Sequence, residues 1–81
     1  VYVYKGAIME IKISTEYIKL DQLLKFSGVV GNGSDAKFLI LDEEVEVNGK
    51  IVTQRGKKIR PGDIVKVGEQ IINVCWTGLP F

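Results

Sequence analysis

Ile8-Met9-Glu10-Ile11-Lys12-Ile13 alternates apolar and charged residues, with Met9 as the exception. A period of two predicts a strand with one buried face, and Ser14-Thr15-Glu16 ends it. The pattern then lengthens. In Lys19–Phe26, Leu20, Leu23 and Leu24 share one helical face and Phe26 widens it. Asp21 and Lys25 stand four apart on the polar side in the favourable order, and Gly28 supplies a C-terminal cap. Gly31-Asn32-Gly33 reads as a turn. Ser34 is then the expected N-cap of a second helix, Asp35 to Leu41. Ala36 and Ile40 lie on one face of it, while Phe38, Leu39 and Leu41 spread apolar character around it. The expectation is a helix mostly covered by the rest of the domain.

Beyond it the period returns to two. Val45-Glu46-Val47, Asn48-Gly49 and Ile51-Val52 predict a hairpin, because Asn-Gly tolerates the positive backbone angles of a tight turn. Two registers are open: a two-residue loop pairs Val47 with Lys50, and a three-residue loop pairs Val47 with Ile51. Matching apolar faces favours the second and puts Lys50 at the loop tip. Residues 53–60 are polar and basic, Arg60-Pro61-Gly62-Asp63 is a turn, and strands Ile64–Val67 and Gln70–Val74 flank Gly68-Glu69. Trp76–Phe81 forms an apolar tail. The order is one strand, two short helices and several strands, without internal repeats.

With 81 residues, the chain has room for one domain. We assign residues 9–75 to it, residues 1–8 to a cloning remnant or N-terminal extension, and 76–81 to the tail. Cys75 is the single cysteine, so no internal disulfide framework compensates for the small core. That favours a reducing, cytoplasmic location. No apolar run reaches the roughly 20 residues needed to cross a bilayer as a helix. The net charge of +1 conceals an asymmetry. Asp42, Glu43, Glu44 and Glu46 form an acidic cluster. Lys50, Arg55, Lys57, Lys58, Arg60 and Lys66 follow, opposed only by Asp63. Local charge of this kind attracts polyanions irrespective of the total.

Catalytic chemistry finds little support. Histidine, the commonest general base near neutral pH, is absent. Cys75, between Val74 and Trp76, reads as a packed thiol, and no clustered His or Cys could ligate a metal. Gly31-Asn32-Gly33-Ser34-Asp35-Ala36 fits a loosened dinucleotide pattern, but a helix precedes it where a strand is required. The expectation is a non-enzymatic domain with no cofactor, metal or small-molecule substrate.

The basic residues that remain can build one face. Lys19 lies at the start of the first helix, Lys37 in the first turn of the second, and Lys50 on the hairpin. Arg55, Lys57 and Lys58 lie just beyond. Structured RNA is read largely by shape and backbone contacts, which such a face can supply. Phe26 and Phe38 are assigned to the core, so base stacking on an exposed aromatic is not expected.

The same residues resemble the S-four-type RNA-binding domain, or alpha-L motif. The match runs through Lys19-Leu20-Asp21 with Leu24, Gly28, Ser34 with Ala36-Lys37 and Ile40. It continues through Val45-Glu46-Val47-Asn48-Gly49-Lys50, Lys57-Lys58 and Pro61-Gly62-Asp63. Leu23-Leu24-Lys25 and Arg55-Gly56-Lys57-Lys58 look more narrowly like the YaaA-like small bacterial proteins. The resemblance implies an α+β fold, with two short helices packed against a small, bent antiparallel sheet. It implies binding to structured ribosomal RNA or a ribosomal particle, in ribosome assembly or another ribosome-associated role. Lys19, Ser34, Lys37, Asn48, Lys50, Arg55, Lys57 and Lys58 would face the RNA. Asp35 departs from the pattern, which often has a basic residue there, and with Glu43 and Glu44 it would repel phosphate. The competing expectation is a protein-interaction module that uses the acidic cluster or the C-terminal apolar tail.

Overall fold

A computed structural model describes residues 8–77. Five strands form one mixed sheet in the order β1-β7-β6-β3-β4. They are β1 (Ile8–Ile13), β3 (Val45–Val47), β4 (Lys50–Ile51), β6 (Ile64–Val67) and β7 (Gln70–Trp76). A separate two-stranded ladder joins β2 (Ile18–Lys19) to β5 (Lys58–Ile59). Helices α1 (Leu20–Phe26) and α2 (Gly33–Leu41) pack on each other between β2 and β3. The fold is α+β. The pairs β3–β4, β3–β6, β6–β7 and β2–β5 are antiparallel, whereas β1 joins β7 in parallel. Residues 1–7 and 78–81, including most of the expected extension and tail, lie outside the described residues.

The core follows the two periods. Leu20, Leu23 and Leu24 bury one face of α1, and Ala36 and Ile40 bury one face of α2. Val45, Val47, Val65, Val67, Ile72 and Val74 cover them from the central strands. Met9 is not the exception in β1. It sits half-buried on the core face with Ile11 and Ile13, while Ile8 points outward and is 70% exposed. Ile59, placed by the sequence in a polar segment, is fully buried on β5.

Three expectations about the helices fail. Expected to be mostly covered, α2 buries only Ala36 and Ile40, and Leu41 is 53% exposed. Phe26 and Phe38 are each 66% exposed and so are not core residues. Seven- and nine-residue helices bury only narrow stripes, and the leucines, Ala36 and Ile40 already fill them. Nor is Ser34 the N-cap. Asn32 caps α2, its Oδ1 accepting from Asp35 N at 2.9 Å, and the helix begins at Gly33. At its other end Glu43 N and Glu44 N donate to Ile40 O and Leu39 O, the two bonds of a Schellman closure. Glu43 adopts φ 61° there, where glycine is usual. The α1 helix closes on Gly28, at φ 82°, as its sequence predicts.

Candidate nucleic-acid interface

The Asn48-Gly49 turn decides the hairpin register. Both residues have positive φ, 53° and 85°, and Val47 pairs with Lys50 and Glu46 with Ile51. The two-residue loop therefore replaces the expected three-residue loop. Lys50 is the first residue of β4 and not the tip. Face matching misled because Ile51 is not a core residue; it is 55% exposed. Turn chemistry outweighed a burial preference that the fold does not satisfy.

Asn48 also ties this turn to a second one. Its Oδ1 accepts from Ile64 N at 2.9 Å, and its Nδ2 donates to Asp63 Oδ1 at 3.1 Å. Asp63 Oδ2 in turn accepts from Arg60 N at 2.8 Å, while Asp63 N donates to Arg60 O. Pro61 and Gly62 (φ 97°) occupy the central positions of that turn, as a type II turn requires. The Val-x-Val-Asn-Gly-Lys and Pro-Gly-Asp segments, far apart in sequence, thus meet through one side-chain hydrogen bond.

Beneath this junction lies a groove of about 420 Å³ lined by Val47, Asn48, Lys50, Val52, Lys57, Lys58, Arg60 and Asp63. Four of its side chains are cationic. Its single carboxylate, Asp63, is turned to Asn48 and the Arg60 amide. Neighbouring cations join it through the backbone. Leu20 N donates to Lys57 O at 2.9 Å and Asp21 N to Arg55 O at 3.1 Å, so residues 55–57 take up two of the free amides that open α1. Lys19 stands directly opposite Lys58 in the β2–β5 ladder.

The predicted residues therefore divide. Lys50, Lys57 and Lys58 line the groove with Asn48, whose side chain is committed to Asp63 and Ile64. Lys19 and Arg55 adjoin it across the β2–β5 ladder and the α1 start. Ser34 and Lys37 are exposed on α2, Lys37 in its second turn and not its first, and neither lines the groove. Arg60, part of the basic run but not among the predicted site residues, also lines the groove. Tyr17 is not among the predicted residues either; Lys58 Nζ lies 4.9 Å and Arg60 Cζ 5.9 Å from its ring centroid. A lone tyrosine between Glu16 and Ile18 carries no periodic signal.

The acidic residues occupy different structural positions. Asp42 caps α2, Glu43 and Glu44 follow it, and Glu46 is half-buried in β3 opposite Lys66. Trp76 ends β7. Among the described residues, no three His, Cys, Asp or Glu side chains come together as metal ligands would. No helix among them is long and apolar enough to cross a membrane.

Comparison with known proteins matches residues 11–75 to the S4 domain. The probable ribosome maturation protein RlbA of Bacillus subtilis (strain 168) is 40% identical over 57 residues, covering 70% of this chain and 80% of that protein. Small ribosomal subunit protein uS4 of Pseudomonas entomophila (strain L48) is 32% identical over 69 residues, covering 85% of this chain and 34% of that protein. The uS4 of Wolbachia pipientis subsp. Culex pipiens (strain wPip) is 34% identical over 73 residues, with 90% and 36% covered. The chain thus spans about a third of these uS4 proteins but most of RlbA. The matched residues run from β1 into β7 and take in both helices, the hairpin and the groove: this chain belongs to the S4 domain family, as an S4-type RNA-binding domain.

Proposed function

We propose that the domain binds structured ribosomal RNA, free or within a ribosomal particle, in ribosome assembly or another ribosome-associated role in the cytoplasm. It acts by binding and not by catalysis. The observation that carries this reading is the groove whose lining holds Lys50, Lys57, Lys58 and Arg60 against one carboxylate. The names of its relatives, a probable ribosome maturation protein and a small ribosomal subunit protein, support the ribosomal setting. In this reading Lys19, Lys50, Arg55, Lys57 and Lys58 neutralise phosphates along the groove. Ser34 and Lys37 add a second flank on α2, and Asn48 holds the hairpin against the Pro61-Gly62 turn.

Phosphate contacts release counterions, so affinity depends on salt in proportion to their number. With about five phosphates engaged, the slope of log affinity against log salt is roughly −3 to −5. Titration of a fluorescent ribosomal RNA stem-loop with the domain between low and moderate salt measures it. A flat dependence would refute the electrostatic mechanism and the groove with it.

A further inference from the structure

We propose that Tyr17 is a positioning residue for RNA phosphate: its ring holds Lys58 and Arg60 in a cationic clamp completed by Lys19. The inference rests on the RNA-binding reading above and deepens it. In the β2–β5 ladder, Ile18 pairs with Ile59 and Lys19 with Lys58. Extending that register by one residue sets Tyr17 opposite Arg60. Because side chains alternate between faces, Tyr17, Lys19, Lys58 and Arg60 fall on one side and Ile18 and Ile59 on the other. The burial agrees: Ile59 is buried and Ile18 half-buried, while Lys19, Lys58 and Arg60 are exposed.

Two features of this face are costly or unexpected without a ligand. Like charges placed directly opposite in a ladder repel, and Lys19 and Lys58 are so placed. A phosphate between them turns that repulsion into attraction. Meanwhile the half-buried ring of Tyr17 has Lys58 Nζ 4.9 Å and Arg60 Cζ 5.9 Å from its centroid, both inside the reach of a cation–π contact. Long cationic side chains lose rotamer freedom when they bind, and a ring that already orders them lowers that loss. The ring orders the two cations but adds no charge of its own. The hydroxyl is not needed for this; the hydrogen bond formed at Tyr17 is accepted by its backbone carbonyl, from Thr15 Oγ1.

That distinction gives the test. Tyr17→Leu removes the ring and no charge, so it should weaken binding of a ribosomal RNA stem-loop about three- to tenfold, the scale of the side-chain ordering cost that the ring offsets. The salt slope should stay at its wild-type value. Lys58→Ala should instead make the slope shallower by nearly one, as loss of a phosphate contact does. Tyr17→Phe should bind like wild type. In a Lys58→Ala/Arg60→Ala background, Tyr17→Leu should have no further effect, whereas a residue that merely props the fold would cost the same in both backgrounds. Wild-type affinity in Tyr17→Leu, or an equal loss in both backgrounds, overturns the proposal. If the leucine variant does not fold, Tyr17→Trp replaces it, and binding more than fivefold weaker than wild type overturns the proposal equally. Should the wild-type domain bind without salt dependence, it is the functional reading that fails. A normal wild-type slope with an unaffected Tyr17→Leu removes only the clamp.

Discussion

Asn48 offers the sharpest quantitative test of the hairpin junction. Asn48→Gly keeps the backbone free to adopt φ 53° but removes the side-chain bonds to Ile64 N and Asp63 Oδ1. Exposed hydrogen bonds contribute at the low end of about 0.5–1.5 kcal/mol each, so the loss should be about 1–2 kcal/mol. Asn48→Ala removes the same bonds and adds the left-handed penalty of a Cβ, about 1 kcal/mol more. For a domain whose total stability is roughly 4–12 kcal/mol by its length, these are large fractions. Urea unfolding should show lower midpoints at constant m-value, in the order wild type, glycine, alanine. The glycine variant should melt roughly 5–15 °C lower. RNA affinity should fall a few-fold, since Lys50 follows the turn directly and loses its fixed position. A glycine variant with the wild-type midpoint would refute the reasoning: the Asn48–Asp63 junction would then contribute nothing net.

Three further outcomes are expected. Glu43→Gly relieves a non-glycine residue at φ 61° and removes a negative charge from a helix C-terminus; it should raise stability by about 1 kcal/mol, read as a higher melting temperature. Lys19→Gln abolishes the like-charge pair with Lys58, and should stabilise the free domain by about 0.2–0.5 kcal/mol while weakening RNA binding; loss of both properties together would mean the pair is not repulsive. Lys50→Ala and Lys37→Ala should each weaken binding with folding intact by circular dichroism, and Lys50→Ala, which removes a groove-lining charge, should do so more strongly.

The parts of the fold written in strong periodicity were legible. Leu20, Leu23 and Leu24 announce α1, and the alternating valines of β3 and β6 announce the sheet, because one face of each must leave water. Asn48-Gly49 and Pro61-Gly62-Asp63 announce their turns through backbone chemistry that few other residues provide. The β2–β5 ladder was not legible. Its strands have two residues each, and its apolar positions are single isoleucines among charged neighbours, too short for any period to emerge. The clamp at Tyr17 was hidden for the same reason, since only the ladder brings residues 17 and 60 to one face. Phe26 and Phe38 misled in the opposite way. Apolarity suggested burial, but helices this short had no further core to offer them.

The parallel pairing of β1 with β7 has a mechanical consequence. Ile8 lies beside Ile71 and Ile13 beside Trp76, so β1 starts at one end of the pair and β7 finishes at the other. Tension applied at Ile8 and Thr77 would draw the two strands past each other along their own axes. Every hydrogen bond between them would then carry load at once, in shear, whereas peeling would break them one after another. A domain pulled from those two points should resist until the whole seam yields, with the hairpin and groove sheltered behind it.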